Sequence, residues 1–128
     1  MEEACQCISR GEVWLMEWDN RKTFDGEEET IEVFRYPVLI ICTDLQANNP
    51  HFPDVVVLPC GIVDESLPNL VYVDIAPSTD NRLPYPIQVA AYMFYTVPKT
   101  LLEQRLGRLT AEEMALVSSK IKMVLELD

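Results

Sequence analysis

The chain has 128 residues, of which 48% are hydrophobic, so it can bury the core of one domain spanning residues 1–128. Its formal net charge of −11 disfavours non-specific binding to a nucleic-acid backbone, which depends on Lys and Arg. The sequence has no apolar run of roughly 18 residues, as a membrane span requires, and its acidic start lacks the features of a signal peptide, so we expect a cytoplasmic protein.

The chain begins with "MEEACQC", in which Cys5 and Cys7 form a C-x-C that has the form of half a metal site. The chain has a single histidine, His51, and no second close pair of cysteines, so the usual zinc-binding spacing is missing. The four scattered glycines form neither a P-loop nor a dinucleotide-binding fingerprint. We therefore predict no metal and no other cofactor, and the role of Cys5 and Cys7 stays open.

The first half of the chain contains three stretches with strand character. "GEVWLMEWD" (Gly11–Asp19) is apolar on both faces, which is typical of a strand covered on both sides. A charged loop with a glycine turn follows, and "IEVF" (Ile31–Phe34) is interpreted as a short strand. "PVLIICT" (Pro37–Thr43) is predicted as a buried strand that begins at Pro37, where the missing N–H is tolerated.

Three further strands are predicted after the Asn- and Pro-rich loop "QANNPHFPD". "VVVLPC" (Val55–Cys60) is rich in β-branched residues and is expected to end where Pro59 and Gly61 occur. "LVYVDI" (Leu70–Ile75) alternates between two faces. After a long polar loop, "IQVAAYMFYTV" (Ile87–Val97) is predicted as the last strand.

The tail changes to a helical period. "LTAEEMALVSSKIKMVLEL" predicts a helix whose apolar face consists of Met114, Val117, Ile121, Val124 and Leu125. Its start is marked by a capping box, Thr110 with Glu113, and by a hydrophobic staple between Leu109 and Met114. Short strands followed by one C-terminal helix predict a mainly β protein, built as a small, strongly bent antiparallel sheet or a partly closed barrel with the helix over its open end.

Four segments resemble, in their order and spacing, the MazF/PemK family of bacterial toxins, the toxic halves of toxin–antitoxin pairs. They are "RGEVWLMEWD" (Arg10–Asp19), "YPVLIICTD" (Tyr36–Asp44), "VVVLPC" (Val55–Cys60) and "LGRLTAEEMALVSSKIKMVL" (Leu106–Leu125). The resemblance implies a CcdB/MazF-like fold, an SH3-like β-barrel with a terminal helix, in a symmetric homodimer. It also implies a metal-independent endoribonuclease that cleaves single-stranded RNA, and a cognate antitoxin whose acidic tail blocks the RNA groove.

The resemblance also indicates candidate site residues. Where the family has a catalytic arginine directly before the proline of "YPVLIICTD", this chain has Tyr36, and its arginine is one position earlier, at Arg35. The family's second catalytic residue, a threonine after "VVVLPC", corresponds to Gly61, and only Thr96 remains of a polar run in the last strand. Arg35, Tyr36 and Thr96 are therefore the candidate catalytic residues. Neighbouring strand residues face opposite sides, so Arg35 reaches the site of Tyr36 only if the strand is irregular there.

RNA cleavage without a metal needs a base for the 2′-hydroxyl, an acid for the leaving 5′-oxygen and a cation for the phosphate charge. The cations that the sequence offers are Arg35, Arg21 and Lys22. The candidates for acid and base are Tyr36, Tyr95, His51, Asp44 and Glu17, and the tyrosines can also stack on bases. We predict that the RNA-binding residues are Arg21, Lys22, His51 and Tyr95.

A second hypothesis is a catalytically inactive MazF/CcdB-like binding protein, which inhibits a protein target or acts as an antitoxin decoy. It is favoured by the net charge of −11 and by the replacement of the family's polar residues. On the sequence alone both hypotheses stay open.

Overall fold

The computed structural model describes residues 7–19, 23–24, 27–28, 33–67 and 70–127. In chain order the strands are β1 (Glu12–Asp19), β2 (Thr23–Phe24), β3 (Glu27–Glu28), β4 (Val33–Ile40), β5 (Asp54–Gly61), β6 (Tyr72–Ile75), β7 (Ile87–Ala90), β8 (Tyr95–Pro98) and β9 (Leu102–Arg108). The helices are α1 (Asp44–Ala47), a 3-10 turn at Lys99–Leu101, and α2 (Ala111–Leu125).

Seven of the described strands form one antiparallel sheet with the order β6-β7-β5-β4-β1-β9, and β8 also pairs with β5. β5 contacts β4 along one edge, while its other edge pairs first with β8 and then with β7. β2 and β3 pair separately. The prediction of a mainly β fold with a C-terminal helix is confirmed, although the sheet is open and does not close into a complete barrel.

Both faces of the sheet carry an apolar cluster, because the strands alternate as a pleated sheet requires. Val13 and Leu39 contribute to the cluster that packs under α2, and Trp14 and Met16 contribute to the cluster on the opposite face. The prediction that β1 is covered on both sides is therefore confirmed for most of its length. Its far end is different, because Trp18 is exposed.

The start of α2 is fixed by the predicted capping box. The Thr110 hydroxyl accepts the N–H of Glu113, and the Glu113 carboxylate accepts the N–H of Thr110. Val117 is fully buried, and Met114 and Ile121 are partly buried against the same cluster. Leu125, predicted on this face, is exposed, so the buried face of α2 does not include it.

Several sequence-based boundaries differ from the structure. "IEVF" and "PVLIICT" belong to one strand, β4, which runs through Pro37 and ends at Ile40, whereas "VVVLPC" is confirmed as β5 with one more residue at each end. Ile87–Val97 is divided into β7 and β8, which pair with successive parts of β5 across a turn. β9 and α1 were not predicted. Among the helices described, none has the length and apolar character needed to cross a bilayer.

Candidate functional site

A groove with a volume of about 700 Å³ crosses the face of the sheet that carries Met16 and Val57. It is formed where β1, β4, β5, β6, β7 and β8 present alternate side chains. The described lining residues are Met16, Trp18, Phe34, Arg35, Tyr36, Val38, Val57, Pro59, Gly61, Ile62, Asp64, Leu67, Tyr72, Gln88, Ala90, Met93 and Tyr95.

Tyr36 occupies the centre of this groove, next to Gly61. Val38 of β4 pairs with Pro59 of β5, and two residues further along each antiparallel strand the register brings Tyr36 beside Gly61. A Cβ atom on Gly61 would lie 3.2 Å from the Tyr36 hydroxyl. Burial raises the pKa of Tyr36, and Cys60 and Tyr95 add to this rise, so the hydroxyl stays protonated at neutral pH and can act as a hydrogen-bond donor.

Arg35 lies at the rim of the groove. In the pairing of β4 with β1, Arg35 is opposite Glu17, whereas Tyr36 is opposite Met16, so the two neighbours face opposite sides of a regular strand. The Arg35 Nε atom donates to Glu103 Oε1 at 2.9 Å. Arg35 is the one Arg or Lys among the described lining residues, and its cation is paired with an acidic group.

Two pairs of aromatic rings stand on opposite sides of Tyr36. Trp18 and Tyr95 meet edge to face with centroids 5.9 Å apart, and Tyr72 and Tyr92 do so at 5.7 Å. The Tyr72 and Tyr92 hydroxyls are hydrogen-bonded at 3.0 Å, which raises the pKa of Tyr72. Trp18 and Tyr72 were not among the residues predicted for the site, although the alternation of "LVYVDI" placed Tyr72 on the strand face opposite to Val73.

A polar edge borders the groove at the end of β5. Gln88 donates to the Asp64 carbonyl at 3.1 Å and to Asp74 Oδ1 at 3.0 Å, and its amide oxygen accepts the Asp64 N–H. The Ser66 hydroxyl and N–H both donate to Asp64 Oδ1 and lower the pKa of Asp64. A carboxylate therefore faces the groove beside Tyr72.

The other candidate residues have different positions. Tyr95 lines the groove, whereas the adjacent Thr96 is exposed and alternation directs it to the other face of β8. His51 is exposed in the loop before β5, and β5 is about 23 Å long from Asp54 to Gly61 at the usual rise per residue, so His51 is remote from Gly61. Arg21 and Lys22 are outside the described residues.

Asp44, Glu17 and Cys7 are not among the described lining residues of the groove. Asp44 accepts the backbone N–H of Arg10 at 2.7 Å, and Glu17 lies on the strand face opposite to Met16. Cys7 is exposed, and Cys5 is outside the described residues. No three His, Cys, Asp or Glu side chains within the described ranges are grouped so that they could hold a metal ion.

Solved structures with the same fold include several toxins. An endoribonuclease in complex with its cognate antitoxin from Mycobacterial species is 22% identical, with 94% of this chain and 96% of that chain covered and a TM-score of 0.69. The Mycobacterium tuberculosis toxin MazF-mt6 is 21% identical, with coverage of 91% and 98% and a TM-score of 0.65. A MazE–MazF structure from Deinococcus radiodurans is 13% identical, with coverage of 97% and 100% and a TM-score of 0.68.

No curated protein matches the chain. The family model of the PemK-like, MazF-like toxins matches residues 9–125, which include all the main strands and α2. The sequence match and the shared fold agree over nearly the entire chain. The protein is therefore a member of the PemK-like, MazF-like toxins of type II toxin–antitoxin systems.

Proposed function

We propose that this toxin is a metal-independent endoribonuclease that cleaves single-stranded RNA in the groove around Tyr36. As a toxin of a type II pair, it has a cognate antitoxin as its protein partner. The observation that carries the proposal is the neutral Tyr36 hydroxyl over Gly61, at the centre of an open groove with aromatic rings on both sides. Unpaired bases stack on such rings whatever their sequence.

Tyr36 supplies the proton that the reaction needs. The 2′-hydroxyl oxygen attacks the phosphorus and loses its proton to solvent, the bond to the 5′-oxygen breaks, and Tyr36 protonates that oxygen. Tyr36 is protonated at neutral pH, which is the form that a general acid requires, and its raised pKa favours the return of a proton from solvent after the transfer. The products are a 2′,3′-cyclic phosphate and a free 5′-hydroxyl.

Although Arg35 and Tyr36 face opposite sides of the regular strand β4, Arg35 lines the rim of the groove, and from the rim it neutralises the phosphate after it exchanges Glu103 for the RNA. The Arg35 and Glu103 side chains are 54% and 33% exposed, and an ion pair this accessible contributes only about 0–1 kcal/mol. A guanidinium can make two parallel bonds to phosphate oxygens, which an ammonium cannot copy. The exchange is therefore favourable when RNA brings a phosphate to the rim.

The remaining candidates have supporting roles in this proposal. Tyr95 stacks on a base next to Trp18, and Arg21 and Lys22 follow β1 in sequence and supply charge for the backbone. Thr96 and His51 contact only RNA that extends beyond the groove, over β8 and along β5. A homodimer, as the family resemblance implies, doubles the number of grooves.

The Arg35 assignment predicts opposite effects from two substitutions. Arg35→Lys should lower the cleavage rate by about tenfold or more, because the forked contact to phosphate is lost. Glu103→Gln should raise the rate, because it frees the guanidinium. Both variants should unfold within a few degrees of the wild type. A rate that is unchanged in both variants would contradict a role for Arg35.

The direct test is incubation of the purified toxin with long single-stranded RNA in EDTA, followed by mapping of the fragment ends. The expected result is cleavage at a short recurrent sequence that leaves 2′,3′-cyclic phosphate ends. Intact RNA, with toxin that still binds its antitoxin, would overturn the proposal and favour a toxin that acts by binding a protein.

A further inference from the structure

We infer that the Tyr72 side of the groove is a slot for one unpaired nucleobase bearing an amino group, with Tyr36 and Tyr72 as its walls and Asp64 as its hydrogen-bond acceptor. The inference rests on the proposed RNA substrate and specifies which bases that substrate presents here. It assigns a binding role to Tyr72 and Asp64, which the sequence pattern did not select.

The floor of the slot consists of small side chains. Pro59 and Gly61 are alternate residues of β5 on the groove face, and the pairing of Gly61 with Gln88 on β7 brings Ala90 next to Pro59. Tyr72 of β6 is opposite Ala90, and Tyr36 of β4 is beside Gly61. Pro59 and Ala90 therefore separate two tyrosines on strands that are not neighbours, and these low side chains leave space beside the Tyr72 ring for a planar ligand.

The Tyr72 wall is held in position before any ligand binds. Its hydroxyl is hydrogen-bonded to that of Tyr92 at 3.0 Å, and the two rings are at 85° with centroids 5.7 Å apart. A ring that is already fixed loses little conformational freedom when a base stacks on it. The faces of nucleobases and of tyrosine rings stack well, so this wall favours a base over an aliphatic side chain.

The chemistry of the polar edge selects among bases. The Gln88 amide is occupied by Asp64 and Asp74, so it holds the backbone of Asp64 and offers no donor to a ligand. Asp64 Oδ1 accepts two bonds from Ser66, which leaves further acceptor sites on a carboxylate. The ligand must therefore donate hydrogen bonds at this edge.

The charge of Asp64 excludes two alternative occupants. A phosphate would be repelled by the carboxylate, and so would the paired carbonyl oxygens that flank the single N–H of uracil. Cytosine, adenine and guanine each present an exocyclic amino group, and a carboxylate is a regular acceptor for the cytosine amino group. The occupant that fits both the walls and the edge is an amino-bearing base, and uracil is disfavoured.

The test measures binding separately from cleavage. Oligodeoxynucleotides lack the 2′-hydroxyl and are not cut by the proposed reaction, so the affinities of the full-length toxin for equal lengths of oligo-dC, oligo-dA and oligo-dT can be compared by Trp and Tyr fluorescence. Thymine stands for uracil, since it presents the same donors and acceptors. We expect oligo-dC and oligo-dA to bind about tenfold more tightly than oligo-dT.

Three variants assign the effect to the slot. Asp64→Asn should remove most of the preference, because its amide can also donate to carbonyl oxygens. Tyr72→Ala should weaken all three oligonucleotides, by roughly fivefold or more for one lost stacking contact. Tyr85→Ala is the matched control, because Tyr85 is also an exposed tyrosine but is not among the groove-lining residues described, and its affinities should equal those of the wild type.

The outcomes separate this inference from the proposed function. Equal affinities for the three oligonucleotides, binding of none of them, or a preference that survives Asp64→Asn would each overturn the slot even if RNA is cleaved. A preference lost with Asp64→Asn, together with RNA that stays intact in EDTA, would support the slot and overturn the nuclease.

Discussion

Tyr36 and Gly61 lie on different strands and 25 positions apart in the sequence, but they are neighbours in the fold. A Cβ atom on Gly61 would be 3.2 Å from the Tyr36 hydroxyl, closer than most carbon contacts, so the bare backbone of Gly61 is what gives the hydroxyl its space. In the sequence, these residues are two separate departures from the family pattern. In the structure they are adjacent, and a side chain at position 61 would require the Tyr36 hydroxyl to move.

Tyr36→Phe tests this hydroxyl with the smallest change. We expect the rate of RNA cleavage to fall by about a hundredfold, the usual range for loss of a general acid. The thermal unfolding temperature should change little, since the ring keeps its packing. The measurement is single-turnover cleavage of an RNA oligonucleotide at saturating toxin.

Gly61→Ala provides the control for position. In the wild-type background it should lower the rate by displacing the hydroxyl, and in combination with Tyr36→Phe it should have no further effect. Additive losses of rate from the two substitutions would contradict a shared role for this contact.

The buried thiol of Cys60 makes the stability depend on alkaline pH. Cys60 is fully buried, and burial strongly raises the pKa of its thiol above the value of 9.0 in an exposed chain. The unfolded state therefore loses this proton above pH 9 while the folded state keeps it. Stability is complete below pH 9 and should then fall by about 1.4 kcal/mol per pH unit.

Urea unfolding at several pH values measures this slope. Cys60→Ala should lower the stability at neutral pH, because it leaves a cavity, but should flatten the dependence above pH 9. A slope that is equal in both proteins would mean that other groups, such as Tyr36 with its raised pKa, account for the alkaline loss.

At the scale of elements, local patterns predicted α2 well and β9 not at all. The helical period and the capping box are contained within the helix itself, so they can be identified without the partner that it packs on. In β9, Leu102 is buried but Glu103, Gln104 and Arg105 are all exposed, so the alternation of a half-buried strand is absent. β9 forms because its backbone pairs with the edge of β1. The residues of β9 alone carry no pattern that predicts this pairing.

The division of Ile87–Val97 has a similar cause. Its apolar residues continue without a Gly or Pro, so the pattern predicts one strand. β5 instead pairs with β7 through Cys60 and Gly61 and with β8 through Asp54–Val57. The turn between them places Met93 in the lining of the groove and Tyr92 against Tyr72, and the prediction of a single strand did not identify either position.

The docking of α2 can be tested by two substitutions on its predicted apolar face. Val117→Ala should cost about 2 kcal/mol, because Val117 is fully buried and two methyl groups are lost. Leu125→Ala should cost less than about 0.5 kcal/mol, because Leu125 is exposed. Urea unfolding measures both, and equal losses of stability would contradict the orientation of α2.

At the scale of the whole molecule, exposed apolar side chains indicate self-association. The described large hydrophobic residues that are exposed and do not line the groove include Leu45, Leu116, Met123 and Leu127. A small domain gains stability when such surface is buried in a two-fold interface. Light scattering at micromolar concentration should therefore give twice the monomer mass of 14.7 kDa, and a mass near 14.7 kDa would refute the homodimer.

The fold class could be predicted from the sequence because strand alternation and helix periodicity are properties of short segments. The groove could be predicted only in part. Arg35, Tyr36 and Tyr95 were identified by resemblance and chemistry, but the opposing wall at Tyr72 depends on β6 reaching β4 through two intervening strands. Such pairing is set by contacts across the entire chain, which no segment encodes alone.

The pairing of β1 with β9 has a consequence for synthesis of the toxin in the cell. β1 completes its pairing only when Glu12 pairs with Arg108 of β9. Its core residue Val13 shares a cluster with Val117 of α2. A ribosome makes these partners after β1, so a nascent chain cannot complete the sheet until β9 and α2 have left the ribosome. The folded groove therefore becomes available only after both segments have been synthesised.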